Sequence, residues 1–172
     1  MTLTLVLGGA RSGKTAYAER SARDAAGAGR PVMIATAEAF DDEMRDRIAR
    51  HRADRGDRWR TIEAPTDLAT ALDGLEAGDV AVVDCLTLWL SNLMLGEHCT
   101  ATSTAALLGA LERCPATLWL VSNEVGFGIV PENALARQFR DEAGRLHQAI
   151  AAVADQVVLM VAGLPVVVKA SR

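Results

Sequence analysis

Apolar residues along this chain come in short blocks separated by longer amphipathic stretches. Six blocks read as strands: Leu3–Leu7, Pro31–Ala35, Val80–Asp84, Thr117–Ser122, Val157–Val161 and Val166–Lys169. Most are rich in Val and Leu and do not alternate with polar residues, which is the pattern of strands covered on both faces. Helical patterns occupy Lys14–Ala26, Phe40–Arg55, Thr66–Leu75, Thr87–Met94, Ser103–Arg113 and Glu132–Val153. The last carries Leu135, Phe139, Leu146, Ile150 and Val153 as its core stripe. His147, next to Leu146, is expected to turn away from it toward a surface or an interface. The apolar Leu86–Leu95 stretch suits a core and a subunit interface equally, and Gly96–Thr104 reads as an exposed loop. Alternating β and α elements predict an α/β layer structure around a mostly parallel central sheet. The most apolar stretch, Val157–Val168, is broken by Gly163 and Pro165 and reads as two buried strands. No apolar run approaches the roughly 20 residues that span a bilayer.

The totals narrow the class. A length of 172 residues predicts a single domain over residues 1–172. Half the residues are hydrophobic but only 4% are aromatic, so the core must be built from Ala, Val, Leu and Ile. The net charge of −4 argues against a general nucleic-acid binder. Cys85, Cys99 and Cys114 lie far apart, so neither a disulfide framework nor a zinc ribbon is indicated. A reducing, cytoplasmic setting fits, and the start MTLTLVLGG lacks the basic residues of a secretory signal.

The first strand runs directly into GGARSGKT, Gly8–Thr15. This matches the phosphate-loop pattern G-x-x-x-x-G-K-[ST] through Gly8, Gly13, Lys14 and Thr15. Glycines let the backbone approach a ligand closely. Successive N–H groups of Gly9, Ala10, Arg11 and Ser12 then form an anion nest at a helix N-terminus. Lys14 would reach the β- and γ-phosphates, and Thr15 would offer its hydroxyl to Mg²⁺. The pattern lies between a strand and a helix, in the required register, so nucleoside-triphosphate binding is expected; the expected architecture is a three-layer P-loop NTPase fold (RecA-like). Asp84 ends the strand Val80–Asp84, where a carboxylate can hold Mg²⁺ through water. Asp84, Thr36 and Asn123–Glu124 should all lie on the rim formed by the carboxyl ends of the strands, where ligands gather in open parallel sheets.

Among the histidines, His51 stands out. In the pattern Asp41–Arg55, Phe40, Met44 and Ile48 form one stripe, and His51 is eleven residues after Phe40. At 100° per residue it points within about 20° of Phe40, flanked by Arg47 and Arg55 at i−4 and i+4. This spacing suits a buried histidine beside two snorkelling arginines. It also suits a neutral imidazole nucleophile between phosphate-gripping arginines, and spacing leaves both open. His98, beside Cys99, has no second Cys/His pair to make a metal site.

Several blocks occur in order: GGARSGKT, Ile34–Met44 (IATAEAFDDEM), Arg47–Trp59 (RIARHRADRGDRW), Val82–Leu93 (VVDCLTLWLSNL) and Ser122–Gln148, with its NEVGFGIVPEN. Together they resemble the bifunctional adenosylcobinamide kinase/adenosylcobinamide-phosphate guanylyltransferase family of cobalamin biosynthesis, from residue 3 to about residue 169. The resemblance implies two reactions. ATP or GTP phosphorylates the aminopropanol hydroxyl of adenosylcobinamide, and GTP then guanylylates that phosphate, giving adenosylcobinamide-GDP and pyrophosphate. It implies a GMP–histidine intermediate on His51, with Lys14 as the other catalytic residue. Guanine-nucleotide contacts are implied for Gly8–Thr15, for Ala35, Thr36 and Ala37, for Arg52, Ala53, Asp54 and Arg55, and for Glu63 and Asp84. Mg²⁺ is expected on Thr15 and Asp84. The family also implies a homo-oligomer, with a trimer expected, and no membrane or nucleic-acid partner. His147 stands where Asn is expected in the family. The rivals are a P-loop kinase for another small alcohol or nucleotide, which needs no histidine adduct, a nucleotide-dependent switch, and a guanylyltransferase that has lost kinase activity. The lack of an N-K-x-D motif weakens the switch.

Overall fold

The computed structural model describes residues 2–38 and 56–170. Seven strands form one sheet: β1 (Leu3–Gly8), β2 (Val32–Ala35), β3 (Arg60–Glu63), β4 (Val80–Asp84), β5 (Thr117–Asn123), β6 (Gln156–Val161) and β7 (Leu164–Lys169). Their order is β3-β2-β4-β5-β1-β6-β7. The first six run parallel, and β7 pairs antiparallel with β6.

The strands lack polar alternation because both faces are buried, and the two-residue period reappears in which core each side chain joins. Leu5, Ile34, Val83, Leu120 and Val157 belong to one apolar cluster, and their neighbours Val6, Met33, Val82, Val121 and Val158 to another. The second face is covered by α1 (Lys14–Ala26) through Ala18 and Ala22. The first is covered by α2 (Leu68–Asp73), α3 (Leu86–Leu95), α4 (Thr100–Arg113) and α5 (Ala134–Val153). This is a three-layer α/β/α arrangement with a mostly parallel sheet, as expected. The helix Leu86–Leu95 is mainly core, with Leu86, Trp89, Leu90 and Leu93 buried.

Where elements differ from expectation, the causes are local. The helices expected from Thr66 and Glu132 start two residues later because Asp67 and Asn133 cap them. Their carboxylate and amide oxygens accept from the backbone N–H of Thr70 and Ala136, both at 3.1 Å. The strand β3 escapes the hydrophobic pattern because it is a largely exposed edge strand of sequence RTIE. The expected exposed loop Gly96–Thr104 is shorter, since α4 begins at Thr100.

The strand β7 contradicts the expectation of two buried strands in Val157–Val168. All of Leu164–Lys169 is exposed, because β7 closes the sheet and no helix among the described residues covers it. Ala162 and Gly163, with φ of 52° and 82°, make the two-residue turn that joins it to β6. Pro165 sits on an edge strand, where a missing N–H is tolerated.

The core stripe of α5 also needs correction. Leu135 and Val153 are exposed. The buried face is Ala143, Leu146, His147 and Ile150, spaced i, i+3, i+4 and i+7. A stripe that broad takes in both neighbours in sequence, so His147 faces inward rather than to a surface. The segment 39–55, and with it His51, Arg52, Ala53, Asp54 and Arg55, lies outside the described residues.

Candidate active site at the carboxyl rim of the sheet

The loop leaving β1 is turned tightly by its glycines. Gly8 and Gly13 adopt φ of 155° and 92°. A Cβ on Gly8 would stand 2.6 Å from Ser12 Oγ and 2.7 Å from the Met160 carbonyl oxygen. Only glycine therefore lets the turn close so tightly. Arg11 also lies in the left-handed region at φ 56°, a strained position that the surrounding turn holds. The β6–β7 turn straps the loop from outside, with the Gly163 N–H donating to the Ser12 carbonyl at 3.0 Å. Ser12 Oγ is a buried side-chain oxygen without a hydrogen-bond partner, which suits a loop shaped for polar ligand atoms.

Lys14, the first residue of α1, is buried, and its ammonium donates to the Gly9 carbonyl at 2.6 Å. Burial pushes its pKa down, while Cys85 and Asp84 oppose that shift. A buried cation folded back onto a loop carbonyl is costly to keep. Phosphate oxygens would be a better partner than a neutral carbonyl. Next to it, the Thr15 hydroxyl donates to Asp84 Oδ2 at 3.1 Å. The chain pattern alone could not place this contact, because it joins residues 69 apart.

Sheet register brings the other predicted residues into line. Ala35 pairs with Asp84 on one side and with Glu63 on the other, so the three form one row across β3, β2 and β4. One residue on, the Thr36 N–H donates to the Asp84 carbonyl at 3.2 Å. The Thr36 hydroxyl donates to the Cys85 carbonyl at 2.7 Å and accepts from the Cys85 N–H at 2.8 Å. Asn92 of α3 donates to the Thr36 carbonyl at 2.8 Å, fixing the exit of β2. Ala37 continues that segment. Gly8 pairs with Asn123 across β1 and β5. Asp84, Thr36 and Asn123–Glu124 thus share one rim.

Sequence reasoning missed a polar cluster behind that rim. Ser122 Oγ and His147 Nε2 are 2.7 Å apart and buried. His147 Nδ1 lies 3.7 Å from Glu124 Oε2, beyond a hydrogen bond but within reach of the carboxylate charge. Burial lowers the pKa of His147, with Glu124 opposing. The Glu124 N–H donates to the Gly8 carbonyl at 2.9 Å, and its Oε1 accepts from the Gly126 N–H at 2.6 Å. The exit of β5 is therefore tied to the first residue of the phosphate loop. The signal in the sequence was the i, i+4 spacing of Ala143 and His147.

The oxygen donors of Thr15 and Asp84 suit Mg²⁺, a hard cation that keeps several waters and shares phosphate oxygens. No group of three or more His, Cys, Asp or Glu side chains among the described residues could hold a metal ion.

A family model described as cobinamide kinase/cobinamide phosphate guanyltransferase matches residues 4–168. The chain belongs to this family. It is thus an enzyme with cobinamide kinase and cobinamide-phosphate guanylyltransferase activities. It is 50% identical over 168 residues to the bifunctional adenosylcobalamin biosynthesis protein CobP of Pseudomonas aeruginosa, covering 96% of each chain. It is 41% identical over 183 residues to the bifunctional protein CobU of Salmonella typhimurium, covering 97% of this chain and 99% of that one. Among solved structures it resembles the P4 protein of bacteriophage phi6 in complex with ADP, with a TM-score of 0.51 at 17% identity. That match covers 95% of this chain and 52% of the phage protein. A protein of Pyrococcus horikoshii OT3 aligns with a TM-score of 0.55 at 10% identity, covering 99% and 87% of the two chains. The likeness supports the P-loop NTPase fold, and the relatives place the chain in adenosylcobalamin biosynthesis. No helix among the described residues is long and apolar enough to cross a membrane.

Proposed function

We propose that this enzyme phosphorylates adenosylcobinamide with ATP or GTP and then transfers GMP from GTP to the product through a GMP adduct on His51. The Lys14 ammonium on the phosphate loop, beside the Thr15–Asp84 contact, is the observation that carries this reading. In the first reaction the substrate hydroxyl oxygen attacks the γ-phosphorus and the nucleoside diphosphate leaves. In the second, the His51 nitrogen attacks the α-phosphorus and pyrophosphate leaves. The phosphate of the corrinoid then displaces the imidazole. The phosphate loop serves both reactions because Lys14 and the N–H groups of Gly9–Gly13 neutralise charge at the β/γ end, which leaves or is transferred.

Mg²⁺ held by Thr15 and Asp84 would add charge neutralisation at the same phosphates. Ala35–Ala37, Arg52–Arg55 and Glu63 complete the nucleotide site. For Arg52–Arg55 and His51 the support is the resemblance of RIARHRADRGDRW. The expected homo-oligomer has a candidate surface in the exposed apolar edge of β7.

Intact-protein mass spectrometry after GTP treatment tests the covalent step. A GMP-sized gain mapped to His51 is expected. It should be absent in His51→Ala, which should keep kinase turnover while losing guanylylation. A folded His51→Ala that loses both activities, or a wild type that gains no mass, contradicts the assignment.

A further inference from the structure

We infer that the apolar cavity between the exit of β5, α3 and the start of α5 is the cradle for the corrinoid macrocycle. This rests on the proposed activity and names the surface that meets its second substrate.

The segment after Glu124 is unusual for a surface loop. Phe127 is 84% exposed, Ile129 98% and Val130 60%, three large apolar side chains within four residues. Contiguous apolar surface of this kind marks a binding surface rather than ordinary decoration. The residues that bracket these three in the loop, Val125 and Pro131, wall a cavity of about 510 Å³, within the range of small-molecule sites. Met94 and Leu95 of α3, Val125 and Pro131 of the loop, and Leu135 and Phe139 of α5 supply its walls. Arg140 adds a guanidinium. Among the described residues its carboxylate partner is its neighbour Asp141 at 3.4 Å, which leaves donors for a ligand oxygen.

Continuity with the phosphate loop decides the occupant. Val125 follows Glu124 directly, and the Glu124 N–H is bonded to the Gly8 carbonyl. The loop that walls the cavity is therefore bonded to the first residue of the phosphate loop. The acceptor must combine a large apolar body with a reactive arm that reaches the transferable phosphate. A corrinoid is such a molecule: its macrocycle has apolar faces, and its rim carries amide carbonyls that a guanidinium can bond. The exposed apolar strand β7 lies at an edge of the sheet. That geometry suits another strand better than a ring.

The test is equilibrium dialysis of cobinamide, followed by its own visible absorption, against the full-length enzyme. Ile129→Asp and Phe127→Asp change exposed side chains and leave the core intact. Each should weaken cobinamide binding roughly tenfold or more, about what one buried apolar side chain is worth, with GTP binding unchanged. Arg140→Gln should weaken it less. Unchanged cobinamide binding in both aspartate variants overturns the cradle. A shift in sedimentation with cobinamide binding intact overturns it too, assigning the patch to a second copy of the chain. If the wild-type enzyme binds GTP but no cobinamide, the proposed activity itself falls and the cradle with it.

Discussion

Two loops leave adjacent parallel strands at the same rim, and they are built of opposite materials. Gly8–Thr15, after β1, is a tight glycine turn that buries an ammonium. Glu124–Asn133, after β5, turns Phe127, Ile129 and Val130 out into water. The two are joined where the Glu124 N–H meets the Gly8 carbonyl. A loop of donors recognises a polyanion, and a loop of exposed apolar side chains recognises something large and apolar. Placing them side by side gives one rim that can hold a nucleotide and a corrinoid together. What differs between the loops is which substrate each would release if damaged.

The largest separation should come from Lys14→Ala. Removing one preorganised cation at the transferring phosphates should lower both activities by roughly 10²–10³-fold. Cobinamide binding in dialysis should be unaffected, the reverse of Ile129→Asp. Parallel losses of both ligands in both variants would mean that the rim is one undivided site.

Gly8→Ala should act next, on the joint itself. Its Cβ would meet the Met160 carbonyl oxygen at 2.7 Å, a backbone atom that cannot step aside. Denaturant unfolding should show a loss of about 1–3 kcal/mol, accompanied by weaker nucleotide binding. Wild-type stability with wild-type GTP affinity would show that the loop closes without this constraint.

The smallest effect concerns the polar cluster behind the joint. His147→Leu leaves Ser122 without its 2.7 Å partner and should cost about 1 kcal/mol at neutral pH. Because burial lowers the pKa of His147 in the folded protein, the unfolded chain binds the proton more readily. The stability this group contributes is therefore present above its unfolded pKa of about 6.5 and lost as pH falls through the lower folded value. Urea titrations at about pH 7.5 and about pH 5.5 should show the gap between wild type and His147→Leu narrowing on the acid side, across that unfolded pKa. A gap that widens would mean that Glu124 overcomes burial and holds His147 as the cation.

The chemistry of the phosphate loop could be read along the chain because it is local. Gly8, Gly13, Lys14 and Thr15 act through one turn whose spacing is written in eight residues. The layer order was legible too, since buried parallel strands must be apolar on both faces. Edge strands gave a weaker signal. β3 carries no hydrophobic signature because its exposed residues are free to be polar, and β7 reads as a buried strand because its exposed residues are apolar. His147 was misplaced because a wide helical face admits neighbours in sequence.

The sequence by itself thus determined the three-layer fold and the phosphate-loop turn, which depend on short-range spacing and periodicity, and its ordered motif blocks carried the resemblance to the family. Only the tertiary structure decided that Thr15 meets Asp84, that Ala35, Glu63 and Asp84 share a row, and that the apolar loop after β5 is hydrogen-bonded to Gly8. Those contacts depend on strand order and register. Both are fixed by packing between segments tens of residues apart, and no local pattern encodes them.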